Sequence, residues 1–242
     1  MSNPAIEKYG WTAVPRKTSA LLEQFHVSGN PPVVSVSSIQ LPSSPLCKAV
    51  HGYALRELPV ETFNHSMRVF YYGIAILQHA FPSWTSPSFV ETYFLSAMLH
   101  DIGTTEKNIH ATLMSFEFYG GLLSLDLLRS LGAPNEQAEN VAETIIRHQD
   151  LGNEGTVTRI EALIQLATIF DNMGGQPQLV NVATIESVTK AYPRKKWSTC
   201  FAATIRKENT LKPWAHTTAL GERAFPEGVE LNALMAPYDA RE

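Results

Sequence analysis

The stretch SFVETYFLSAMLHDIG, residues 88–103, decides the fold. Glu91 is its only charged residue before Asp101, so it reads as a core helix from about Ser88 to Ile102, with Gly103 as the stop. His100 and Asp101 stand at its end. An imidazole and a carboxylate buried there without partners would cost several kcal/mol, and metal coordination is the commonest remedy.

Working upstream, a helix opens at Pro59 and runs to about Ala80. Phe63, Met67, Phe70, Ile74 and Leu77 fall on one face, and Val69, Tyr72 and Ile76 on nearly the opposite one, beside His65. A helix apolar all round is central and buried, so His65 projects into protein. Downstream, a segment from Ala111 to Leu131 contains Gly120-Gly121, read as a close-packing point. A helix with Pro134 in its first turn then carries Val141, Ile145 and His148 on a shared face. The last long helix spans about Val157 to Met173, stopped by Gly174-Gly175. Its stripe Ile160, Ile164, Ala167 ends in Asp171, where a Leu would be expected. The chain thus offers the ordered set His65, His100-Asp101, Asp171.

No run of alternating residues marks repeated strands, so the fold class is all-α. Residues 27–46 are rich in Ser, Pro and Val without helical period and read as an extended connector. The expected organisation is an N-terminal arm and connector over 1–50 and a helical catalytic domain over 51–242. Helices beyond Pro177 read as a cover over the core.

With 242 residues, 44% apolar and 17% charged, the chain can bury a full core. Its net charge of −4, without a basic block, argues against nucleic acid or an anionic membrane as partner. The triplet Arg194-Lys195-Lys196 reads as a solvated loop, and His79, His110 and His216 as ordinary core or surface histidines. Cys47 and Cys200 form neither a disulfide framework nor a paired-cysteine zinc signature. Neither a leader nor 18 consecutive apolar residues appear, and the expected location is cytoplasmic.

The runs NHSMRV (64–69) and LHDIG (99–103), followed by Asp171, resemble the HD-domain superfamily of metal-dependent enzymes. The resemblance implies an all-helical bundle, one divalent metal ion or two between its central helices, and His65, His100, Asp101 and Asp171 as the ligands. HDIGTTEKN (100–108), MSFEFYGG (114–121), IIRHQDLG (145–152) and LATIFDNMGG (166–175) are more specific and resemble the cyanamide hydratase branch. That branch implies Zn2+ and hydration of cyanamide to urea, a detoxification reaction.

Two imidazoles and two carboxylates around a divalent cation give a nearly neutral site, where a bound water has its pKa drawn toward about 7 and supplies hydroxide. Such a site suits a small neutral electrophile. The stretch from Leu77 to Glu106 holds no Lys or Arg to clamp a phosphate, which leaves Arg68, Lys107 and Arg147 of nearby segments as the candidates for that role. Cyanamide has about three heavy atoms, so a ceiling of about −1.5 kcal/mol per atom allows roughly millimolar affinity at best. His148 is the expected proton relay or substrate donor, Asp101 couples proton transfer, and Thr104 places a hydroxyl at the pocket mouth or simply forms a turn. The competing readings are a phosphohydrolase acting on nucleotides, needing His110 or His148 to complete a second metal site, and a non-catalytic metal-containing binding module. A homo-oligomer is expected.

Overall fold

The computed structural model describes residues 3–240, and among them thirteen α-helices and two short strands confirm the all-α class. The arm holds α1 (Pro4–Lys8), β1 (Ala13–Pro15) and α2 (Thr18–Gln24). The body comprises α3 (Pro45–Glu57), α4 (Val60–Ala80), α5 (Pro87–Leu99), α6 (Glu106–His110), α7 (Phe116–Ser130), α8 (Asn135–Arg147), β2 (Thr156–Thr158), α9 (Arg159–Met173), α10 (Val182–Ala191) and α11 (Trp197–Leu211). Two short helices, α12 (Ala224–Glu230) and α13 (Ala236–Asp239), follow.

Helix α4 is the axis. Every residue from Thr62 to Leu77 is buried, which its apolar surface on all sides requires. Helix α9 lies along it, fixed at its start by a capping box in which Thr158 and Glu161 satisfy each other's backbone amides, and ended by Gly174 in the left-handed conformation. Helix α5 completes the trio that meets at the site.

Three boundaries differ from the sequence reading for local reasons. Helix α5 stops at Leu99, and a 3-10 turn over Ile102–Thr104 follows, because Gly103 lies against the Phe116 carbonyl, where a Cβ would come within 2.0 Å of the oxygen. The expected segment from Ala111 begins only at Phe116, and Thr105 caps a separate short helix, α6. Helix α3 spans residue 50, so the helical body begins at Pro45, behind the Ser44 cap. Gly121 is a packing point as read: a Cβ there would lie 2.6 Å from Ile146 Cγ1 on α8.

The arm wraps the body. β1 pairs antiparallel with β2, Ala13 opposite Thr158 and Pro15 opposite Thr156. The connector runs along α10, with the Val34 and Val36 amides donating to the Thr184 and Ser187 hydroxyls.

Candidate metal centre

His65 from α4 and His100-Asp101 from the end of α5 converge in the interior. His65 Nδ1 lies 2.6 Å from Asp171 Oδ2, and His100 Nδ1 lies 2.9 Å from the Ala97 carbonyl. Both partners are acceptors, so both rings carry their proton on Nδ1. The two Nε2 atoms therefore present lone pairs, and they face each other at 3.2 Å. Asp101 Oδ2 lies 3.3 Å from His100 Nε2 and 3.7 Å from His65 Nε2, and neither Asp101 oxygen has a hydrogen-bond partner.

Two lone pairs and an unpartnered carboxylate aimed at one buried point repel unless a cation lies between them. Ligand atoms of His65, His100 and Asp101 all lie within 4.8 Å of one another, a fit for a divalent ion. The charged and titratable groups here act strongly on one another. Burial opposes charge on both carboxylate and rings, yet the surrounding imidazoles hold Asp101 well below the usual carboxylate range. Burial brings His65 down to about 4, keeping the ring neutral as a ligand must be, while Asp101 outweighs burial at His100 and raises it.

Asp171, expected as a fourth ligand, is seated on the far side of His65. Its oxygens accept from Arg68 Nε at 3.0 and 3.1 Å, Arg68 Nη2 at 2.9 Å and Arg194 Nη1 at 2.6 Å, besides His65. Burial works against its charge, but Arg68, Arg194 and His65 prevail and hold its pKa far below the ordinary value. Here it orients His65 and fixes the tautomer.

Arg194 corrects the reading of the basic triplet as a solvated loop. Lys195 and Lys196 both take positive φ, 51° and 60°, and Arg194 is fully buried, paired with Asp171 and with Asp239. Two carboxylates and two guanidinium groups cancel there. The ligand cluster keeps only the charge of Asp101, so a divalent cation would make it net positive rather than neutral.

His148 follows α8 directly. Its Nδ1 donates to the Ile145 carbonyl at 2.7 Å, which leaves Nε2 with its lone pair 3.9 Å from Asp101 Oδ1. Burial lowers its pKa and keeps it neutral. Thr104 is turned away from this chemistry, its hydroxyl donating to the Asp101 carbonyl at 2.7 Å in the turn. His110 is exposed and bonded within its own helix, not beside the centre.

Trp197 and Gln149 were not singled out by sequence. The Trp197 ring stacks on His65 with centroids 4.2 Å apart and planes at 14°, and its Nε1 donates to Asn172 Oδ1. The Gln149 side-chain oxygen is buried without a partner, beside a chamber of about 20 Å³ that His148, Thr168 and Asn172 also line. A tryptophan at the start of a polar helix carries no period that would announce a partner ring.

The fold and this centre define an all-α enzyme built around a buried His-His-Asp cluster able to hold a divalent cation. No protein-family model matches the chain. It is 38% identical over 222 residues to cyanamide hydratase DDI2 of Saccharomyces cerevisiae, a match covering 90% of this chain and 94% of that protein. Cyanamide hydratase DDI3 of the same yeast matches to the same extent. The chain belongs to the cyanamide hydratase family.

Proposed function

We propose that this protein hydrates cyanamide to urea in a zinc-dependent reaction and that its bundle is of the HD-domain type. The observation that carries the reading is the 3.2 Å approach of two lone-pair nitrogens beside an unpartnered carboxylate, with His148, which lines a small chamber, 3.9 Å from that carboxylate. His65, His100 and Asp101 would hold the ion. When bound, it lowers the pKa of water toward about 7 and so supplies a nucleophile at neutral pH.

The residues of the chain do the rest. His148 Nε2 faces the centre with a free lone pair, so it takes a proton from the attacking water as the oxygen bonds to the nitrile carbon. It then returns that proton to the nitrile nitrogen, and the remaining hydroxyl proton moves to the same nitrogen, giving urea. Gln149, with its unpartnered oxygen, is placed to accept from the substrate amine. Asp171 and Trp197 hold the His65 ring in place from its edge and its face.

A phosphate ester lacks support at this site. Arg68 and Arg194 are both occupied by Asp171, so neither guanidinium is free to clamp a phosphate, and with His110 away from the centre only His148 is left of the two histidines a second metal site would need. The remaining expectations extend the same reading: two free cysteines suit a reducing cytoplasm, and exposed Leu113 and Trp214 suit subunit packing in a homo-oligomer. No described helix is long and apolar enough to cross a membrane.

The test is to incubate metal-loaded protein with cyanamide and follow urea, beside a chelated control and Asp101→Ala. Urea from the loaded protein alone is the expected result. Untouched cyanamide with dephosphorylation of a nucleotide would overturn the reading.

A further inference from the structure

A second cavity, of about 420 Å³, opens on the surface beside the small chamber at His148. Arg16, Asn153 and Gln165 line the outer cavity, while His148, Thr168 and Asn172 line the inner one. Leu151 and Ile169 line both, so these two residues are where the cavities adjoin. One of them is mounted on a helix: Ile169 belongs to α9. Leu151 lies in irregular backbone between His148 and β2, and its position depends on what holds that loop.

Arg16 of the arm holds it. Its Nε donates to the Asp150 carbonyl at 2.8 Å and its Nη2 meets Asp150 Oδ1 at 2.5 Å. Arg147 reaches the other Asp150 oxygen at 3.3 Å. Gly152 lets the guanidinium lie flat against the loop, since a Cβ there would come within 2.6 Å of Arg16 Cζ. Arg16 is thus bonded to one neighbour of Leu151 and packed against the other, while Leu151 itself lines both cavities.

We propose that Leu151, fastened by the Arg16–Asp150 clasp, is the size-selecting gate through which substrate passes from the outer cavity to the chamber at His148. The inner volume of about 20 Å³ is close to what one or two water-sized groups need. A linear three-atom nitrile passes such a gate with a small side-chain displacement, whereas alkyl substituents require the loop to lift. This proposal rests on the reading of the substrate as cyanamide, but the gate itself has a readout independent of turnover.

The experiment follows carbethoxylation of His148 by diethyl pyrocarbonate, mapped by peptide mass spectrometry, in the full chain and in Arg16→Ala, Gly152→Ala, Leu151→Ala and Leu220→Ala. Wild-type His148 should be protected, and the first three variants should label about tenfold faster or more, as expected when a local opening is made easier. Leu220→Ala, which lines the chamber but not the outer cavity, should label like wild type. Equal labelling in all five proteins, or Leu220→Ala labelling as fast as Leu151→Ala, overturns the gate. In parallel, Leu151→Ala should raise the rate on dimethylcyanamide relative to cyanamide, and an unchanged ratio overturns selection by size. If the wild type hydrates no cyanamide, the reading of the reaction fails while the labelling still decides the gate.

Discussion

Arg194 Nη1 sits 2.6 Å from Asp171 Oδ1, both side chains fully buried. Removing one member of such a pair strands a charge in the interior, so Arg194→Met should cost about 3–5 kcal/mol of stability. Lys195→Ala, on the exposed neighbour, should stay within about 0.5 kcal/mol of wild type. Urea unfolding at fixed pH measures both. Equal midpoints for the two variants would show that the Asp171 cluster contributes nothing to folding.

Asp171 Oδ2 meets His65 at Nδ1, away from the Nε2 atom that faces His100. Asp171→Asn should therefore weaken binding of the divalent ion by about 10–100-fold, the usual effect of losing an outer partner of a ligating histidine. His100→Ala and Asp101→Ala should lose stoichiometric metal altogether. Equilibrium dialysis with elemental analysis separates the cases. A folded Asp171→Asn protein wholly without metal would make Asp171 a direct ligand.

Chelation should destabilise the fold. An ion bound only by the native state, at a free concentration of about 100 times its Kd, adds about 2.7 kcal/mol. Calorimetric scans with and without chelator, followed by restoring the ion, read this directly, and an unchanged Tm would argue against an ion among His65, His100 and Asp101.

His216 gives a pH dependence of stability. Its Nδ1 lies 2.9 Å from buried Glu117 Oε1, and that hydrogen bond raises its pKa above the ordinary histidine value of 6.5. The folded state then holds a proton that the unfolded chain releases first. Its contribution is complete below pH 6.5 and is lost as pH rises through the folded pKa. Unfolding midpoints between pH 5.5 and 8.5 should fall with pH in the wild type and fall less in His216→Gln; parallel slopes would refute the assignment.

Gly103 sets the turn that carries Asp101. An added Cβ would lie 2.0 Å from the Phe116 carbonyl oxygen, a backbone atom that cannot swing aside. Gly103→Ala should cost about 1–3 kcal/mol by overpacking and displace α7 from the turn. Denaturant unfolding gives the cost, and metal content at saturation reports whether the ligands moved.

The central helices and the His65, His100, Asp101 cluster were legible because each rests on a local period or on a pair of adjacent residues. Burial of Asp171 was also readable, from its place in the apolar stripe of α9. Its partner was not. Whether a buried carboxylate meets a cation or a guanidinium depends on which distant residue folds over it, and Arg194 sits in a stretch whose composition resembles an exposed turn. Trp197 escaped for the same reason: its partner ring lies far off in sequence. The start of α3 at Pro45 was hidden by the Ser and Pro preceding it, although Ser44 and Pro45 are the cap and first turn of that helix.

Arg16 and Asp150 are 134 residues apart, and β1 has no sheet partner until β2 exists. During synthesis the arm emerges first but must wait, undocked, for more than half of the chain to follow. Contacts of such long range carry a loop-closure cost and form late. The two ends of the clasp beside Leu151 therefore join only after the helices lining the chamber are in place, which makes this contact one of the last to form in folding.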